Sequence, residues 1–214
     1  MNLQIAAAEY TSAQLARLPS TEFHSQGVMA ITSYGLITLW HRLCIEWGMS
    51  KISSLNEVFI DQLKDLYSAE SQLIKALPKL AKAAKDPDLK KGFLAHLKQT
   101  KEHAARIKKI CESLKEKPTG KKCKATAGLV EEGQEAIDEN AIPEMKDVML
   151  IAAGQRVEHY EIAGYSSACF LAKALDLPAA LKTLSLTLSE EIATDAKLEK
   201  ASGPAITKAK STQE

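Results

Sequence analysis

One segment, from about residue 144 to 175, limits the possible folds more than any other stretch. It is apolar on nearly every face: Val148, Met149, Leu150, Ile151, Ala152 and Ala153, then Ala163, Ala168, Phe170 and Leu171. A helix that is apolar all round is a buried helix. Its centre nevertheless reads Val157-Glu158-His159-Tyr160-Glu161. An isolated buried charge is too costly to keep, so these carboxylates must be paired, neutralised or bound to a cation. The partners have to come from other helices.

The rest of the chain offers three. The first runs from Ser53 or Ser54, a natural N-cap, to about Lys85, with the seam Phe59, Leu63, Leu66, Glu70, Leu73, Leu77, Leu80, Ala84. The second spans about 88–116, with the seam Leu89, Phe93, His96, Thr100, His103, Ile107, Ile110, Leu114. The fourth follows Asp176-Leu177-Pro178, with Leu177, Leu181, Leu184, Leu188, Glu191, Asp195, Leu198. Steps of three and four are the rhythm of a helical bundle. A shorter helix over about 126–139 carries Leu129, Glu132 and Ala136 on one face. Ala, Leu, Lys and Glu dominate and β-branched runs are scarce, so the fold class is all-α.

Each long seam is broken at mid-helix by polar residues: Glu70, then Gln99 with His103, then Glu158 with Glu161, then Glu191 with Asp195. An antiparallel bundle brings these to one level. So many carboxylates cannot all stay ionised together without a cation. Two-metal carboxylate bundles meet this constraint with four Glu and two His drawn from four helices. Such a donor set suits iron or manganese better than zinc, and open positions would accept dioxygen or peroxide. Each residue also has a plain alternative. Glu70 and Glu191 at a seam edge would pair with lysines, Gln99 would only hydrogen-bond a ligand, and His96 and His103 would be ordinary buried histidines. Glu132 would be a surface acid, and a wholly structural polar layer would make the chain a helical scaffold that binds no metal.

Charge narrows the partners. Twenty-eight basic residues against 27 acidic ones leave no electrostatic footprint for nucleic acid or an anionic membrane. Four cysteines (Cys44, Cys111, Cys123, Cys169) form no CxxC pair, which fits a reducing, cytoplasmic setting. Residues 1–48 differ in character. Gly27 to Leu43 is apolar, but His41 and Arg42 interrupt it before a membrane span of about 20 residues is complete. The expectation is an N-terminal extension that is disordered or outside the native product, Met49 making a natural start; the alternative is an added interfacial helix near 27–46. The bundle domain is then 49–200, with 201–214 a disordered tail.

Several stretches resemble the YciF-type family of bacterial stress proteins. They include Leu66-Tyr67-Ser68-Ala69-Glu70, His96-Leu97-Lys98-Gln99-Thr100 and Lys122-Cys123-Lys124-Ala125. Gly128-Leu129-Val130-Glu131-Glu132, Val157-Glu158-His159-Tyr160-Glu161-Ile162-Ala163 and Glu190-Glu191-Ile192-Ala193-Thr194-Asp195 complete the set. The resemblance implies a ferritin-like antiparallel four-helix bundle with an additional short helix, a homodimer, and a dinuclear site of at most two iron or manganese ions per chain. Carried over, that site falls on Glu70, His103, Glu158, Glu191 and Asp195, with Glu132 and Glu161 as further candidates. Gln99 stands where relatives often carry Glu. The implied role is in osmotic or oxidative stress, with a small oxidant such as peroxide as partner.

Overall fold

The computed structural model describes residues 52–212; the expectations for residues 1–48 lie outside them. Five helices follow in order: α1 (Leu55–Ala83), α2 (Pro87–Ser113), α3 (Lys124–Asp138), α4 (Pro143–Ala174) and α5 (Pro178–Ser211). There is no strand among the described residues. The described residues form an all-α, ferritin-like bundle. Among them, no helix is long and apolar enough to cross a membrane.

Local chemistry sets the ends of the helices. Ser54 opens α1 through a capping box, its side chain accepting from the Glu57 N–H while the Glu57 carboxylate reaches back to the cap, which satisfies donors the first turn leaves free. Asp86 caps α2, and Pro87, Pro143 and Pro178 occupy the first helical positions of α2, α4 and α5, where a missing N–H costs nothing. Two helices end in left-handed residues, Lys115 after α2 and Asp176 after α4. In each case the next N–H reaches back to a carbonyl of the last turn, Glu116 to Cys111 and Leu177 to Ala172, both at 2.9 Å. That is the Schellman arrangement.

Short turns make α1–α2 and α4–α5 into antiparallel hairpins, and α1 meets α4 while α2 meets α5 to close the bundle. α3 lies across α1 and α4. Two glycines on α4 permit close approach. A Cβ at Gly164 would fall 2.9 Å from Leu66 Cδ2, and one at Gly154 would fall 3.1 Å from Leu198 Cδ1. Buried side chains form two separate apolar clusters. One holds Leu73, Leu77, Leu80, Phe93, Leu150 and Leu198. The other holds Phe59, Leu63, Leu66, Ile107, Tyr165 and Leu184. The polar layer lies between them.

The helix after Pro178 continues to Ser211, past the point near residue 200 where the sequence reading began a tail. Ser202-Gly203-Pro204 reads as a breaker, and Pro204 removes one helical hydrogen bond. Ala201 and Ala205 nevertheless pack on the first apolar cluster, and Ala209 is buried. That burial outweighs the lost bond.

Two buried charged residues near the start of α4 tie the bundle together. The Asp147 carboxylate accepts from the Lys85 and Asp86 N–H groups at 2.8 Å each, which fixes the α1–α2 turn. The Lys146 ammonium donates to the carbonyls of Ala136 (3.1 Å), Ile137 (2.9 Å) and Glu139, at the C-terminal end of α3. A cation there meets the negative end of the helix dipole and its free carbonyls. Lys146→Met keeps the apolar stem and removes the donor. It should lower the unfolding free energy by about 1–3 kcal/mol, read as a reduced urea midpoint with unchanged slope; an unchanged midpoint would show that the tie contributes nothing.

Candidate metal centre

Four helices deliver six side chains to the layer between the two clusters. α1 supplies Glu70, α2 supplies His96 and His103, α4 supplies Glu158 and Glu161, and α5 supplies Glu191; all six are buried. They form two overlapping groups whose ligand atoms lie within 4.8 Å of one another. One is Glu70, His103 and Glu191, and the other is His96, Glu158, Glu161 and Glu191. Glu191 belongs to both.

The approaches are short but poorly aligned. His103 Nδ1 lies 2.8 Å from Glu191 Oε1 and 3.5 Å from Glu70 Oε1. His96 Nε2 lies 3.2 Å from Glu158 Oε1 and 3.8 Å from Glu191 Oε2. Neither His103 Nδ1 nor His96 Nε2 makes a properly directed hydrogen bond, nor does either oxygen of Glu161 or of Glu191. Among the described residues, every buried side-chain N or O without a hydrogen-bond partner belongs to these six residues or to adjoining Asp195. Buried polar atoms are almost always satisfied. Such a cluster of exceptions in one layer makes it the candidate ligand site of the chain.

Outside the six, a second set of groups holds them in position. The Tyr165 hydroxyl, fully buried, donates to Glu70 Oε1. His103 Nε2 meets Glu190 Oε2 at 2.8 Å. Arg106 grips the same Glu190 carboxylate with both terminal nitrogens and reaches Thr187 Oγ1 at 3.1 Å. A carboxylate on the far nitrogen of a histidine fixes its ring and frees the near nitrogen as a donor. His96 is turned similarly, with Nδ1 3.4 Å from Thr194 Oγ1.

Burial and crowding shift the titrations. Burial pushes the Glu158 carboxyl up to about 7 against the opposing pull of His96. Glu161 is raised well above the usual carboxylate range, first by burial and then by the charges of Glu70, Glu191 and Glu158. Burial would lower His103, but the facing Glu191 and Glu70 carboxylates prevail and push it up to about 10. Glu190, by contrast, is held low by Arg106. Without a cation, the layer is therefore kept near neutrality by retained protons.

Of the residues named from the sequence, Glu70, His103, Glu158, Glu161 and Glu191 are brought together. The other three are not among the converging ligand groups. Gln99 is half-buried beside a cavity rather than in the layer. Glu132 is exposed, 3.5 Å from Arg156. Asp195 is partly buried, 3.5 Å from the exposed His159. Two positions were not named as site residues: His96, whose seam register was the available signal, and Glu190, which no seam marks.

Residues 54–211 match the family described as Domain of unknown function (DUF892). Protein YciF of Escherichia coli (strain K12) is 45% identical over 148 residues, covering 69% of this chain and 89% of its own. The chain belongs to the YciF-type DUF892 family. The crystal structure of the E. coli stress protein YciF matches with a TM-score of 0.71 at 43% identity, over 73% of this chain and 99% of that one. YcfI from Rhodopseudomonas palustris matches at 0.68 and 34%, over 71% and 96%. A protein from Xanthomonas campestris, 16% identical with a TM-score of 0.61 over 75% and 99%, shares the fold alone.

The retained protons predict how the metal-free YciF-type bundle responds to pH. An unfolded chain gives up the Glu158 proton near 4.5 and the His103 proton near 6.5, whereas the folded chain holds them to about 7 and about 10. Their stabilisation is complete below the unfolded values and is lost as pH rises through the folded ones. In chelator, the melting temperature should therefore fall steadily between about pH 6 and pH 9. His103→Gln should flatten the upper part of that fall. A curve that is level or rising in the wild-type chain would contradict the retained protons.

Proposed function

We propose that this chain is a ferritin-like stress protein whose polar layer holds two iron or manganese ions. The observation that carries the reading is the convergence of unpartnered buried atoms from four helices. Glu70, His103 and Glu191 would hold one ion, and His96, Glu158, Glu161 and Glu191 the other, with Glu191 common to both. Four carboxylates and two imidazoles are the same inventory that two-metal carboxylate bundles use, although here both imidazoles come from α2. No thiolate contributes, which favours iron or manganese over zinc. Gln99 is not needed to complete the set.

Bound iron or manganese would supply one-electron chemistry at an open coordination position, of the kind that consumes peroxide. The chain's own residues prepare the place. Arg106 and Glu190 orient His103, Tyr165 orients Glu70, and the two apolar clusters flank the layer on either side. The protons on Glu158 and His103 leave as cations enter, so affinity should rise with pH. The description of E. coli YciF as a stress protein supports a stress role for this relative. The free thiols of Cys111, Cys123 and Cys169 are in keeping with a cytoplasmic setting, where the chain would work as a homodimer, handling a small oxidant or sequestering metal.

The imidazole–carboxylate approaches also support a second reading, in which the layer is structural and only fixes helix register. Elemental analysis separates the two. Protein made in iron- and manganese-supplemented cells should carry close to two metal ions per chain. Glu70→Gln and Glu158→Gln should each lose metal while keeping their helix content, and Gln99→Ala should retain both ions. Wild-type protein that takes up no metal, with a melting temperature unmoved by adding it, would leave the scaffold reading.

A further inference from the structure

A cavity of about 510 Å³ lies between α2, α4 and α5, within the span of about 300–1,000 Å³ that organic ligands fill. Phe93, Ile151 and Leu198 make apolar walls, and the buried His96 and Glu158 form its inner end. Gly92 and Ala95, both exposed, stand at its outer edge. His96 Nε2 and Glu158 Oε2 are two of the buried atoms left without hydrogen-bond partners. An apolar cleft that ends on unpartnered polar atoms is shaped for a ligand with a matching polar head.

The geometry points to a binding site for a molecule with an apolar body and one uncharged hydroxyl or hydroperoxy head, the head meeting His96 and Glu158. The head chemistry follows from what waits for it. A hydroxyl or hydroperoxy group brings both a donor and an acceptor to a ring nitrogen and a carboxylate oxygen. A carboxylate has no hydrogen to give, and an ammonium has no lone pair to offer. Charge acts against the carboxylate as well, since an anion would arrive beside Glu158, Glu161 and Glu191. The outer part of the cavity is mixed, with Lys197, Lys200 and Lys208 alongside Asp86, Asp88 and Glu144, so the ammonium is disfavoured by its missing lone pair alone. The wall residues ask only for apolar area. This site shares His96 and Glu158 with the proposed metal centre, so it belongs to the metal-free chain, and a bound ion would compete with the head for those two side chains.

Three molecules with one tail test it: 1-decanol, decanoate and decylammonium, titrated calorimetrically into the chelator-treated full chain at neutral to mildly basic pH. Decanol should bind one per chain, at least about tenfold more tightly than either charged analogue. A Cβ at Gly92 meets nothing within 4 Å, so Gly92→Phe should fold normally and narrow the entrance. That variant, and Ala95→Phe beside it, should each weaken decanol by about tenfold or more while the circular dichroism stays that of the wild type. Absent decanol binding, tighter binding of either charged analogue, or undiminished binding by both folded variants would overturn the site. Because the chain is metal-free in this experiment, the two readings fail separately. Two metals per chain without decanol binding would remove the cavity site alone, and decanol binding to a chain that takes up no metal would remove the metal centre alone.

Discussion

Everything in this bundle is arranged around the cost of putting four carboxylates into a dry layer. Glu70, Glu158, Glu161 and Glu191 come from three helices into a space with apolar side chains above and below. Their mutual repulsion in low dielectric would force the helices apart if nothing opposed it. Two imidazoles and retained protons oppose it in the metal-free chain, and cations would do so more strongly. The apolar clusters then have to hold the helices in register closely enough for those charges to meet.

That register depends on small features at some distance from the layer. Gly164 lets α4 approach Leu66 of α1, and Gly154 lets it approach Leu198 of α5. Asp147 and Lys146 anchor the start of α4 to the α1–α2 turn and to the end of α3. Farther along, the connector into α3 is fixed to α1, where Cys123 N–H donates to Ser68 Oγ at 2.9 Å and the Cys123 thiol meets the Tyr160 hydroxyl at 2.8 Å. Tyr160 in turn donates to Asp65 at 2.7 Å. Each of these ties limits sliding of α1 against α4. Sliding is the movement that would separate Glu70 from Glu158 and Glu161.

The bundle was readable because its seams repeat over many turns, and a long repeat survives local exceptions. Glu158 and Glu161 were readable because their own helix has little polar face to offer them. The α2 donors were harder to assign. Gln99 and His103 are four residues apart, which turns one about 40° from the other, whereas His96 and His103, a heptad apart, differ by only about 20°. His96 therefore stays in the layer and Gln99 rotates toward the cavity. The same rotation carries Asp195 away from Glu191, toward His159. Glu190 was not legible at all, because its role depends on Arg106 across the helix pair, and no periodicity within one helix reports a contact between two. The continuation of α5 was hidden by Ser202-Gly203-Pro204, a local signal overruled by the tertiary burial of Ala209.

Redistribution of the donors makes the two halves of the layer unequal. One half has two carboxylates and His103, enclosed by Tyr165 and held from behind by Glu190 and Arg106. The other has three carboxylates and His96, and its His96 and Glu158 line the cavity. The enclosed half is the more tightly positioned, since Glu70 and His103 are both hydrogen-bonded from outside the layer, whereas Glu161 has no partner on either oxygen. A ligand group with no partner can move when something arrives; one held on both sides cannot. In the proposed two-metal reading, anchoring would therefore fall to the Glu70–His103 half, and exchange with molecules from outside would fall to the His96–Glu158 half. Glu191, common to both, is the residue through which a change at the open half would be felt at the closed one.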